Sequence, residues 1–172
     1  MEAKRMQLAT IGYEGASLAD FIATLITAGV ERVVDVREIA QSRRPGFSKN
    51  ALRSALNEAG IDYHHIRQLG DPKPGRDAAR AGKIDLFRTI FSSHLELPAS
   101  KDALMEAVSL AEEKNSVLVC FERDPKHCHR TIVAQRMAAV SSLKITNLGV
   151  QSKGVQGMVG NVRATSRFAR AC

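Results

Sequence analysis

Short apolar runs that alternate with amphipathic stretches constrain this chain more than any other feature. Leu8–Gly12 (LATIG) and Ser116–Cys120 (SVLVC) are apolar at most positions rather than at every second one, and Arg32–Asp35 (RVVD) places two valines side by side. Strands of that kind are buried on both faces, as in parallel sheets covered by helices on each side. Gln7–Tyr13 reads as a first strand ending near Gly12, Arg32–Glu38 as a second and Ile61–Ile66 as a short third. Ser116–Glu122 is a buried-type strand, and Leu143–Val150 a final one.

Helical patterns fill the gaps. Leu18, Phe21, Ile22, Leu25 and Ile26 recur at helical spacing, with Ser17 and Asp20 as an N-terminal cap and Gly29 as the stop. Ser48–Gly60 predicts a second helix capped by Ser48. Ile84–Leu95 and Ser100–Lys114 predict two more, with Pro98 between them and Ser100 as a cap, and His129–Val140 a last one. Arg67–Lys83, with three glycines and two prolines, reads as a surface loop holding at most a turn of helix. The expected architecture is a single three-layer α/β domain over residues 1–148, with a mostly parallel central sheet of about five strands flanked by helices. Residues 149–172 form a basic, glycine-containing extension.

No run of about 18 apolar residues is present, so no membrane-spanning helix and no membrane partner are expected. The first residues lack a secretory signal, and three unevenly spaced cysteines are no disulfide framework. A reducing cytoplasm is the expected compartment. Of the net charge of +7, the extension contributes +4 through Lys153, Arg163, Arg167 and Arg170. Such an excess favours an anionic small molecule or nucleic acid, and also fits a plain solubility tail.

In open α/β sheets ligands bind beyond the carboxyl ends of the strands. Three groups of residues should meet there: Gly12-Tyr13-Glu14, Asp35 with Arg37, and Cys120, Glu122, Cys128, His129 and Arg130. A free thiol has a pKa of about 8.5, so only about 3% is ionised at pH 7. A helix start and an arginine would raise that fraction and make an exposed Cys128 nucleophilic. Cys120 lies inside the apolar run, where a cysteine also serves as a small hydrophobe. Arg37, Arg43, Arg44 and Lys49 follow the second strand, and arginines suit two-point contact with phosphate or carboxylate. His64 and His65 read as structural. Cys120, His127, Cys128 and His129 form one cluster without a second spaced pair, so no metal site is expected. No Walker loop or G-x-G-x-x-G occurs, and no cofactor is expected.

TIGYEG, VVDVRE…SRRPGFSK, GIDYHHIRQLG and VCFERDPKHCHR, in this order, resemble the bacterial and archaeal family catalogued as domain of unknown function 488. The resemblance spans about Leu8–Leu148 and rests most on C-x-E-x5-C-H-R. It implies an α/β fold and carries over Asp35, Arg37, Ser42, Arg43, Cys120, Glu122, Cys128, His129 and Arg130 as motif residues. Tyr13-Glu14 stands where many members carry His-Ser. A weaker likeness links VVDVRE and the later strand–Cys–loop–Arg–helix order to rhodaneses and cysteine phosphatases. There Cys120 would match the nucleophile and Arg130 the anion-binding arginine.

Four readings follow. In the first, Arg37, Arg43 and Arg130, with Asp35 and Ser42 beside them, hold a nucleotide or nucleic acid, and Cys128, Glu122, His129 and Cys120 are reactive or orienting. The second is a thiol-dependent transferase or redox enzyme. The third is a nucleic-acid-binding module using the basic extension. In the fourth, Cys128-His129-Arg130 is a helix-capping network with Glu122 paired to Arg130.

Overall fold

The apolar runs are buried because they form the middle of one sheet. In the computed structural model, which describes residues 6–152, β4 (Ser116–Cys120) lies between β2 (Arg32–Asp35) and β1 (Gln7–Gly12). β3 (Asp62–His65) and β5 (Lys144–Leu148) form the edges, giving the order β3-β2-β4-β1-β5. All four pairings are parallel. Every residue of β2 and β4 is buried, whereas β3 and β5 have half-buried and exposed positions.

Neighbouring side chains of a strand point to opposite faces, and the core divides accordingly. Val117 and Val119 join Ile11 and Val33 under α1 (Leu18–Thr27) and α2 (Lys49–Glu58), which contribute Phe21, Leu25, Leu52 and Leu56. Leu118 joins Leu8 and Val34 on the other face, under α3 (Lys73–Arg80), α4 (Ile84–Leu95), α5 (Pro98–Glu113) and α6 (His129–Ala139). The three-layer α/β expectation holds, and the sheet is wholly parallel.

Local chemistry sets most helix ends. Ser17 Oγ accepts from Asp20 N at 3.1 Å and caps α1. Gly29, just beyond it, takes φ +68°, which a β-carbon would strain. Three expectations need correction. Ser48 is the N-cap residue of α2, as expected, but its side chain makes no cap hydrogen bond: its hydroxyl exchanges hydrogen bonds with the backbone of Ser42, at 3.1 and 3.2 Å. Pro98 opens α5 instead of separating two helices, since a first-turn proline loses no helical hydrogen bond, and Ser100 lies inside that helix. The segment read as a loop holds a 3-10 turn (Arg67–Leu69) and the helix α3. Only Gly75 and Ala78 of α3 are buried, too few to print an apolar period. The extension from residue 153 lies outside the described residues.

The strand order brings the carboxyl ends of β2, β4 and β1 side by side. Gly12 pairs with Cys120. A β-carbon on Gly12 would stand 1.7 Å from the Glu122 carbonyl oxygen, so only glycine lets the two strand ends approach so closely.

Candidate functional site

Beyond β2 the chain turns on a buried ion pair. Arg37 Nε and Nη2 donate to Asp35 Oδ1 and Oδ2 at 2.8 and 2.6 Å. Arg37 Nη1 reaches Tyr13 Oη at 3.0 Å and the Phe47 carbonyl at 2.8 Å, tying the ends of β1 and β2 to the approach of α2. Burial alone would lower the Arg37 pKa, but the hydrogen bonds and charge of Asp35, aided by Tyr13, raise it above its ordinary value. Arg37 is therefore permanently charged.

Above it lies a cavity of about 500 Å³, walled by Tyr13, Arg37, Glu38, Asp71, Phe121 and His129 and rimmed by Ser42, Arg43, Arg44, Arg76 and Arg80. Five arginines face three carboxylates, counting Glu14. Arg76 Nη1 pairs with Glu38 and also donates to the Asp71 carbonyl at 2.6 Å. Arg44 Nη2 donates to the Ala16 carbonyl at 2.5 Å. Arg43 and Arg80 stand exposed, Arg80 with Asp77 at 3.7 Å.

Asp71 is the residue that sequence reasoning missed. It is 4% exposed, and its Oδ1 has no hydrogen-bond partner among the described residues. Burial pushes its pKa up to about 7, against the pull of His129 and Arg76 and with some help from Cys128 and Glu38. Nothing in Gly70-Asp71-Pro72 marks that carboxyl apart from any other acid in a turn-rich stretch. Arg76 and Arg80 were hidden in the same segment.

Behind the His129 wall the two thiols meet. Cys128 is the residue before α6, and its Sγ lies 2.8 Å from Cys120 Sγ, which in turn lies 3.0 Å from Glu122 Oε2. His129 Nε2 is 2.7 Å from the Val36 carbonyl oxygen, which can only accept, so Nε2 carries a hydrogen. Nδ1 then faces Cys120 Sγ at 3.5 Å and Cys128 Sγ at 3.9 Å. Burial lowers the His129 pKa, but the Cys128 sulfur, the Val36 carbonyl and Glu122 carry it up to about 9. Cys120, Glu122, Cys128 and His129 are all at most 4% exposed.

A family comparison fits this geometry: the domain of unknown function DUF488 matches residues 17–137. The chain belongs to this family. No curated protein and no solved structure gives a significant match. The match runs from the Ser17 cap to Met137 within α6, so it includes the Asp35–Arg37 turn, Asp71 and the thiol cluster, while β1 and β5 lie outside it.

In this DUF488 chain the two sites that sequence reasoning expected to converge are neighbours, with Val36 touching His129. Their parts are divided differently from that expectation. Arg37, Ser42, Arg43 and His129 line the cavity; Asp35 lies directly beneath Arg37. Arg130 does not line it. Its side chain is fully buried, Nε donates to Thr10 Oγ1 at 3.2 Å, Nη1 to the Glu122 carbonyl and Nη2 to the Arg123 carbonyl at 3.3 Å. It therefore braces the loop after β4, and it meets Glu122 through the backbone, where the capping reading had paired it with the carboxylate. Cys128, treated as an exposed nucleophile, is 3% exposed because α6 packs it against Cys120. No helix among the described residues is long and apolar enough to cross a membrane.

Proposed function

We propose that the cavity above Arg37 binds a nucleotide-sized anionic ligand. The observation that carries this reading is the composition of the wall: exposed Arg43 and Arg80 at the rim, with the flat ring of Phe121 and the aliphatic side chain of Ile39 also lining it. A volume of about 500 Å³ suits one small ligand, within the roughly 300–1,000 Å³ usual for such sites. Arginine forks meet phosphate or carboxylate oxygens at two points. The apolar surfaces suit a base or another flat group.

Arg37 is committed to Asp35, so it sets the shape of the floor and lends positive potential. Asp71 is the group suited to exchange a proton with a bound ligand, because its pKa lies near neutrality and it is one of the residues lining the cavity. If the bound ligand reacts, Asp71 is the acid–base residue and His129 the neighbour that senses its charge.

Titration calorimetry with a nucleoside monophosphate and its neutral nucleoside tests this. The phosphate form should bind and weaken as salt rises, and the nucleoside should bind at least about tenfold more weakly. Arg43→Ala and Arg80→Ala should each cost about tenfold in affinity. Equal binding of the nucleoside, or unchanged affinity in both variants, would remove the reading.

A further inference from the structure

We propose that Cys120, Cys128 and His129 form a three-residue binding site for one zinc-class divalent cation, with Glu122 beside it. Three observations lead there. First, the donor atoms of Cys120, Cys128 and His129 all lie within 4.8 Å of one another. Two sulfurs and an imidazole nitrogen are a zinc-type donor set. Second, the imidazole is oriented as a metal-binding histidine is. Its Nε2–H is held by the Val36 carbonyl at 2.7 Å, which leaves Nδ1 turned toward both sulfurs. Third, all four side chains are at most 4% exposed, where two thiolates are costly unless a divalent cation balances their charge.

The distances are close to what coordination requires. Around zinc, with Zn–S near 2.3 Å and Zn–N near 2.0 Å, the sulfurs stand about 3.8 Å apart and each about 3.5 Å from the nitrogen. The observed sulfur-to-Nδ1 separations are 3.5 and 3.9 Å. The sulfurs, at 2.8 Å, must part by about 1 Å to reach that geometry. Glu122 Oε2, 3.0 Å from Cys120 Sγ, stands outside the group of donors that lie within 4.8 Å of one another, so it supports the Cys120 sulfur and leaves the fourth position to water.

Without a cation the same groups satisfy one another through protons. Cys128 donates toward Cys120, and Cys120 toward Glu122. Binding releases both thiol protons and the proton on His129 Nδ1 to the buffer, and the two thiolates and the bared Nδ1 then bond to the cation. Sequence spacing concealed the site: Cys120 ends a strand, whereas Cys128 and His129 start a helix eight and nine positions on, and only the Val36 contact and the strand pairing close the cluster.

The test uses the full chain carrying Cys172→Ser, so that Cys120 and Cys128 are the remaining thiols, reduced and freed of metal by chelator. Elemental analysis after zinc loading should give about one zinc per chain. Cobalt(II) should produce the intense thiolate-to-cobalt absorption and tetrahedral visible bands. Cys128→Ser, which keeps size and shape, should weaken zinc by at least about 100-fold in chelator competition, and Glu122→Gln by at least about tenfold. The urea midpoint of each metal-free variant, compared with its parent, separates ligand loss from misfolding. Absence of stoichiometric zinc, cobalt binding without thiolate absorption, or parent-like affinity in Cys128→Ser would overturn the site. So would a Cys120–Cys128 disulfide by mass spectrometry in a protein that, once reduced, takes up no metal; that result would make the pair a redox couple.

Discussion

Asp35 and Arg37, two residues apart, form a two-point ion pair in which neither side chain is more than 4% exposed. Tyr63 Oη adds a hydrogen bond to Asp35 Oδ2 at 2.5 Å from the edge strand. A buried pair of this kind gives little net stability, yet removing one member strands the other charge. Arg37→Ala should therefore cost about 3–5 kcal/mol in urea unfolding. The combined Asp35→Asn/Arg37→Ala change should cost clearly less than the sum of its single changes. Additive losses would show that the two groups act independently.

Asp71 predicts a pH dependence of stability. Its folded pKa of about 7 lies above the ordinary value of 3.8. Between those values the folded chain holds a proton that the unfolded chain releases, so stability falls as pH rises from about 4 to about 7. Arg76, Glu38, His129 and Cys128 are the charged or titratable groups acting on it. With chelator present, Asp71→Asn should remove this slope and exceed the parent in stability at pH 8 by roughly 2–4 kcal/mol. Parallel pH profiles for the two proteins would refute the raised pKa.

Gly12→Ala tests the close approach of β1 to the loop after β4. Its new methyl would overlap the Glu122 carbonyl, which is backbone and cannot rotate aside. A loss of about 2–4 kcal/mol should follow, with weaker metal retention because Glu122 is displaced. A stability change under about 0.5 kcal/mol would mean that the strand ends separate freely.

Arg130 and Arg43 should behave oppositely. Arg130→Ala leaves two carbonyls and Thr10 without their donor, and should cost about 3–5 kcal/mol. Arg43→Ala, at an exposed rim position, should change stability by less than about 0.5 kcal/mol while reducing anion affinity. Measured unfolding and ligand titration on the same two variants separate a bracing arginine from a binding one.

Much of the fold was legible because it rests on local rules. The adjacent valines of β2 and the Val117–Cys120 run of β4 announced burial on both faces, and the Leu18–Ile26 stripe announced α1. Ser17 and Gly29 marked the ends of that helix by their own chemistry. α3 escaped notice because a helix of eight residues with two buried positions has no readable period. Ser48 and Ser100 have the residue type of a cap, but their hydroxyls are taken by Ser42 and Gln68. Composition cannot show which partner a hydroxyl finds.

The sequence by itself determined the α/β class, the parallel sheet and the chemical groups gathered at its carboxyl end, because hydrophobic period and residue type are written locally. Only the tertiary structure decided their roles. The order β3-β2-β4-β1-β5 set Val36 against His129, turned Arg130 inward to the Glu122 and Arg123 carbonyls, and buried Asp71 beside the cavity. Those outcomes depend on which strands are neighbours and on how much water each side chain loses, and both are properties of the packed chain.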